Sequence, residues 1–276
     1  MQTLTEKRVF APDRPARTVY IGTDRGLVAL SVAGTSLGRF SLATRGTVHA
    51  LTATPQGVVA AVDDRLIAVA GAELPPSVPA TTGAVDVVGA DAAAVWTAVG
   101  TAVTRYPVGT AAAPETHLAG APVTAIAPPF IGTTDGLLRH GAAGLQAVGL
   151  EHVTGLTAAP LVGTTAGLYT LGNGWMRRLD APVTAVASGE QQHAAVIEEA
   201  VVTATDGWTA TVAPPVPPVD VAVTADAVYA IGADGVAMAH APGAPWTQTH
   251  LGVGGITGIA VAPTTNGKHP ARAAPT

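Results

Sequence analysis

Seven copies of one strand-like phrase, glycine-turn hairpins between them and a last copy with no hairpin after it predict the fold class. The chain reads as all-β: a seven-bladed β-propeller of four-stranded antiparallel blades, with the first blade closed by the C-terminal strand. The copies are Val48-His-Ala-Leu-Thr-Ala-Thr54, Val85-Asp-Val-Val-Gly-Ala-Asp91, Val123-Thr-Ala-Ile-Ala-Pro-Pro129, Val153-Thr-Gly-Leu-Thr-Ala-Ala159, Val183-Thr-Ala-Val-Ala-Ser-Gly189, Val219-Asp-Val-Ala-Val-Thr-Ala225 and Ile256-Thr-Gly-Ile-Ala-Val-Ala262. Their starts are spaced by 37, 38, 30, 30, 36 and 37 residues. Each opens on a β-branched residue, continues with a polar one, then a small or β-branched one, which suits a strand with close neighbours on both faces.

The next elements in each module form a hairpin. Val19-Tyr-Ile-Gly-Thr-Asp-Arg-Gly-Leu-Val-Ala-Leu30, Phe130-Ile-Gly-Thr-Thr-Asp-Gly-Leu-Leu-Arg139 and Leu161-Val-Gly-Thr-Thr-Ala-Gly-Leu-Tyr-Thr-Leu171 are nearly one phrase: apolar run, glycine-bearing turn, apolar run. Glycine supplies the positive φ that tight hairpin turns require. A fourth run follows, as in Gly38–Leu42, Thr116–Leu118, Met176–Leu179 and Trp246–Leu251. The chain thus begins with the second, third and fourth strands of a blade, over residues 18–42, and ends with a first strand. That terminal strand completes the first blade and leaves no uncapped end. The modules of 30 residues leave room for strands of only about 4–5 residues.

The continuous repeat predicts a single propeller over residues 16–263, between a polar lead-in at 1–15 and a disordered tail at 264–276. Pro-rich Leu74–Thr82 and Ala213–Pro218 read as inter-blade loops, because proline is excluded from central strands. No helix is predicted.

The apolar fraction of 48% is mostly Ala and Val, and small residues suit tight seams between blades. Charged residues make up 12%, about half the ~25% usual for soluble domains. Net charge is −5, which argues against general attraction to nucleic acid. Residues 1–65 carry eight Lys+Arg and five Asp+Glu, net +3, and the remainder six and fourteen, net −8. There is no cysteine, hence no thiol nucleophile, thiolate metal site or disulfide. Met1–Pro15 lacks the apolar segment of a signal peptide, and no run of about 20 apolar residues spans a bilayer. The expected setting is the cytoplasm, without membrane contact.

The second residue of every copy is polar: His49, Asp86, Thr124, Thr154, Thr184, Asp220 and Thr257. Inner strands surround the axis of a propeller, so these side chains are expected to ring the central channel. Short polar groups suit a wet channel without any further role, and the same ring is the place to look for a bound ligand or ion. Within it His49, Asp86 and Asp220 are the groups with metal-ligand chemistry, but the sequence does not show that they converge. No cofactor is called for, and no catalytic residues are assigned. Glu198-Glu199 reads as an exposed edge or turn. His140, His152, His193, His240 and His250 are scattered, without i, i+4 or His-x-His grouping, and read as surface or loop residues. Trp175–Arg178 and Trp246 read as aromatic cover over blade ends. No serine sits in a nucleophile-elbow context.

The Ile-Gly-Thr-Asp-Arg-Gly-Leu, Ile-Gly-Thr-Thr-Asp-Gly-Leu and Val-Gly-Thr-Thr-Ala-Gly-Leu phrases resemble the Gly-Thr-x-x-Gly-Leu element of regulator-type propeller repeats of sensor ectodomains, in three of the seven blades. Thr205-Asp-Gly-Trp208 is only loosely similar to a sialidase Asp-box, and no arginine triad accompanies it. WD and kelch signatures are missing. Taken over most of its length, with Glu6-Lys-Arg-Val9 leading into the first blade, the chain is similar to propeller proteins of haloarchaea, a resemblance that implies no activity. The leading expectation is a non-catalytic scaffold or interaction module that binds another protein through one face. The alternatives are a hydrolase or lactonase with an ion in the channel, and a small-molecule sensor.

Overall fold

In the structure, a computed structural model, residues 16–110, 112–204, 208–210 and 213–263 are described. The expected lead-in (1–15), tail (264–276) and most of the Asp-box-like segment lie outside them.

The blades follow the predicted modules. The first contains β1 (Arg17–Thr23), β2 (Gly26–Ala33) and β3 (Ser36–Arg45). The second is β4 (Val48–Ala53), β5 (Val58–Val62) and β6 (Arg65–Val69). The third is β7 (Val87–Ala90), β8 (Ala94–Val99), β9 (Ala102–Pro107) and β10 (Glu115–Leu118). The fourth is β11 (Val123–Ala127), β12 (Phe130–Thr133), β13 (Leu137–Gly141) and β14 (Gly144–Ala147). The fifth is β15 (Val153–Leu156), β16 (Leu161–Thr164), β17 (Gly167–Gly172) and β18 (Gly174–Leu179). The sixth is β19 (Val183–Ser188), β20 (His193–Ile197), β21 (Ala200–Ala204) and β22 (Trp208–Ala210). The seventh is β23 (Pro218–Val223), β24 (Val228–Gly232), β25 (Val236–His240) and β26 (Thr247–His250). The last strand, β27 (Gly258–Val261), pairs antiparallel with β1, Val19 opposite Val261 and Gly22 opposite Gly258, and completes the first blade as predicted. No helix occurs among the described residues, and none of them forms a helix long and apolar enough to cross a membrane.

One blade departs from four strands. The second has three, β4-β5-β6, and the Pro-rich segment follows it. Prolines cannot donate to a ladder. Leu74 and Val78 pack instead onto the cluster of Val59, Ala61 and Leu66, and Thr82 donates its backbone N–H to Asp64 O at 2.5 Å.

The core is not one mass. It is divided into clusters that each straddle two neighbouring blades, one per seam. Tyr20, Leu27 and Ala260 meet Val48, Val58 and Ala60 between the first and second blades. Val19, Ile21 and Val28 meet Tyr229, Ile231 and Ala239 between the first and seventh. The other five seams repeat the scheme. Each blade therefore buries both faces only by having two neighbours, which is why the ring must close. The inner strands follow one another round the axis as β4, β7, β11, β15, β19, β23 and β27, with β27 beside β4.

Candidate functional site

The inner strands enclose a channel of about 960 Å³. In the second, fourth, fifth and sixth blades the first residue of the phrase is buried and paired, the second is skipped by the ladder as a β-bulge, and the third is paired again. The bulge turns the second side chain out of the ladder. Thr124 and Thr154 use that freedom on the next blade: their hydroxyls donate to Val153 O at 2.6 Å and Val183 O at 2.5 Å. Thr184 makes a long bond of 3.5 Å to Val196 O in its own blade. Thr257 stands over Gly22, where an added Cβ would come within 2.5 Å of its Oγ1.

Thr124, Thr154, Thr184, Asp220 and Thr257 line the channel, whereas His49 and Asp86 are exposed and do not. Asp86 Oδ2 accepts the Gly100 N–H at 2.7 Å and fixes the β8–β9 turn of its own blade. Asp220 corrects the predicted ring. In the seventh blade Pro218 pairs with Gly232 and Asp220 with Ile231, so the bulged second residue is Val219, 40% exposed, and Asp220 is the third. Third residues elsewhere are Ala50, Val87, Ala125, Gly155, Ala185 and Gly258, small in every blade but the third. Asp220 enters the seam with the adjoining inner strand: its Oδ2 accepts the Ile259 N–H of β27 at 2.8 Å and its Oδ1 the Val221 N–H at 2.8 Å. A Cβ on Gly258 would lie 3.1 Å from Asp220 Oδ2, so the glycine leaves room for the carboxylate. Desolvation pushes the Asp220 carboxyl up to about 6 from 3.8, against the pull of the two N–H donors. His49, Asp86 and Asp220 therefore do not assemble a three-ligand site.

A different set comes together. Glu115, His117 and His140 place their ligand atoms within 4.8 Å of one another at the seam of the third and fourth blades. His140, expected as an isolated surface residue, is half-buried against Trp96 and His117, with ring centroids 5.0 Å away in both cases. The legible part of the signal is Glu115-x-His117, since residues i and i+2 of a strand share a face. The third member comes from another blade, which spacing within one module does not reveal.

Other singled-out residues have packing roles. Trp175 Nε1 donates to Val148 O at 2.8 Å, tying the fifth blade to the fourth. Trp246 stacks on His240 at 4.9 Å. Ser188 Oγ and His193 Nδ1, opposite each other at the β19–β20 end, are 2.8 Å apart, and the His193 ring stacks on Trp208.

One end of the ring is chemically distinct. Because the start of each inner strand pairs with the end of the second strand, the turns between second and third strands all emerge at the end where the polar phrase begins. These turns carry Asp24, Asp63, Asp64, Asp135, Glu198, Glu199 and Asp234, all exposed, against Arg25 and the adjoining Arg45, Arg65 and Arg177, the last donating to Ala166 O of the β16–β17 turn. The turns between first and second strands, at the opposite end, hold Asp91, Glu190 and Asp226.

The architecture recurs widely among solved structures. The chain aligns with one from the nidogen/laminin complex at a TM-score of 0.55 and 8% identity, over 90% of this chain and 98% of that one. A computationally designed protein, Ika8, aligns at 0.56 and 14% identity over 90% and 91%. The extracellular domain of a putative one component system from B. thetaiotaomicron aligns at 0.56 and 12% identity, over 79% of this chain and 38% of that one. At such identities the likeness shows the fold alone. No curated protein sequence matches. Residues 3–262 match the family described as "Beta-prop_HVO_0234:-like, beta propeller", and with nearly its whole length inside that match the chain belongs to this β-propeller family.

Proposed function

We propose that this propeller is a non-catalytic interaction module that docks a basic protein segment on its acidic, turn-bearing end. The observation that supports this reading is the choice of residues at the turns. Asp63-Asp64 and Glu198-Glu199 fill two-residue hairpin turns, and Asp63 and Glu198 have φ of 52° and 48°. Glycine or asparagine satisfies such a conformation at lower cost, and glutamate is poorly suited to it. Asp63 suits its turn, and its Oδ1 also accepts the Thr47 N–H at 2.8 Å, whereas Glu198 serves charge better than it serves the turn. In a chain only 12% charged, a cluster of carboxylates at one end makes a local negative field that steers a cationic partner and sets its orientation.

A lysine- and arginine-rich peptide provides the test. It should bind the full chain, more weakly as salt rises and the screening length shortens. Asp64→Asn, Asp135→Asn, Glu198→Gln and Glu199→Gln together should abolish binding, while Glu190→Gln at the opposite end should not. Equal binding by the wild type and the four-site variant would refute the proposal.

A further inference from the structure

We propose that the outer seam between the third and fourth blades is a divalent transition-metal site, suited first to Zn²⁺, with Glu115, His117 and His140 as its protein ligands. Glu115 and His117 lie on β10, the outermost strand of the third blade, and His140 on β13 of the fourth. Their ligand atoms fall within 4.8 Å of one another. A four-coordinate zinc with metal–ligand distances near 2.0–2.2 Å holds its ligand atoms about 3.3–3.5 Å apart. Side-chain rotation on two fixed strands covers the difference.

Unsatisfied groups at this seam point the same way. His117 Nε2 is buried and has no hydrogen-bond partner, and so is Trp96 Nε1, on the ring that His140 meets edge-on at 5.0 Å. Buried nitrogens without partners are costly and rare. A cation satisfies the imidazole, and a water in its fourth position offers an acceptor to the indole N–H. The carboxylate is divided: Glu115 Oε1 faces Arg105 at 3.7 Å, and Oε2 faces His117 Nε2 at 4.0 Å. Arg105, itself 5.7 Å from the Trp96 ring centroid, attracts one Glu115 oxygen as an ion-pair partner and leaves the other toward His117.

Two imidazoles and one carboxylate select a borderline cation. Ca²⁺ and Mg²⁺ favour all-oxygen shells of six or more. Three protein ligands also leave one position open, as zinc sites that bind water or a further ligand do. The site would pin two blades together at the rim, where the seam is farthest from the closed inner ring.

The experiment uses the full chain, free of any affinity tag and stripped with chelator. Zn²⁺ should bind at one equivalent and raise the melting temperature by several degrees, and Mg²⁺ should do neither. His117→Gln and His140→Gln should each weaken zinc binding by at least about 100-fold, since loss of an orienting group alone costs 10–100-fold. Their metal-free melting should stay close to the wild type, and His193→Gln, in the sixth blade, should bind zinc normally. Co²⁺ added to the wild type should give the intense visible absorption of a four-coordinate ion, a readout that needs no variant. Wild-type protein that takes up no zinc, zinc uptake unchanged in both glutamine variants, or an octahedral cobalt spectrum would each overturn the assignment.

Discussion

Gly132 sits where one blade meets the next with no room for a side chain. A Cβ there would lie 2.4 Å from Val153 Cγ1 and 3.0 Å from Val153 Cβ. Carbon atoms rest at about 3.5–4.0 Å, so Val153 or the strand must withdraw by about 1 Å. Val153 is 1% exposed and has nowhere to go. Gly22 and Gly163 repeat the contact, with Val48 Cγ1 at 2.8 Å and Val183 Cγ1 at 2.7 Å, so each glycine faces the first valine of the following phrase. Overpacking of this kind costs about 1–3 kcal/mol. The reduced freedom of the unfolded chain returns about 0.4–1 kcal/mol on replacing glycine with alanine. Gly132→Ala should therefore destabilise by a net of about 1–2 kcal/mol, or about 2–8 °C in melting midpoint for a chain of this size. Val153→Ala, which removes two buried methyls, should cost about 1–3 kcal/mol alone. It also makes room, so the double variant should be more stable than the sum by about 1 kcal/mol or more. Urea midpoints of the four proteins give the coupling. A Gly132→Ala protein that unfolds with the wild type, or strict additivity in the cycle, would refute the seam argument.

Thr154→Val keeps the shape of the side chain but removes its bond to Val183 O, and should lower stability by about 0.5–1.5 kcal/mol in denaturant unfolding. An unchanged midpoint would mean that the polar ring does not stitch the blades. Asp220→Asn should remove a pH dependence from the stability of the native state, seen as a difference from the wild type that grows between pH 4 and pH 7.5.

The fold was legible because its rules are periodic. A β-branched residue at the head of each phrase, a glycine before the turn in three blades and an unpaired last copy are marks that a closed ring of blades leaves in sequence, and β27 pairs with β1 as they require. The second blade's missing strand left its own mark in Pro75, Pro76 and Pro79, which read as a loop without revealing that no strand accompanies it. The site was less legible because side chains in a propeller meet across blades. His117 and His140 are separated by a module boundary. The acidic end required knowing which turns share a face, which follows only once the strand order is fixed. Asp220 was misplaced by one residue because alternating small apolar residues carry no register of their own, and a bulge at Val219 resets the count.

Asp220 is the place where this misregister has an energetic consequence. The third residue of an inner strand faces the neighbouring inner strand, and here that neighbour is β27, the segment that closes the ring. An ionised carboxylate gives up much of its water where it enters the seam beside the channel, and the N–H groups of Ile259 and Val221 offset only part of that loss. The balance pushes it up to about 6 from an ordinary value of 3.8. The native state therefore holds this proton more tightly than the unfolded chain does. Between these two values it binds more protons, and the free energy of unfolding falls as pH rises through the window. The contribution is fully present below about pH 4 and is lost above about pH 6. About two pK units correspond to about 3 kcal/mol. Asparagine cannot ionise; its Oδ1 still accepts the Ile259 N–H, and the bond from the Val221 N–H is lost equally at every pH. The other titrating groups are common to both proteins and cancel in the difference. Measured against its difference from the wild type at pH 4, Asp220→Asn should gain up to about 3 kcal/mol in stability at pH 7.5. A difference that stays flat across that range, or one that favours the wild type as pH rises, would show that the carboxyl remains in contact with water and that the seam does not enclose it.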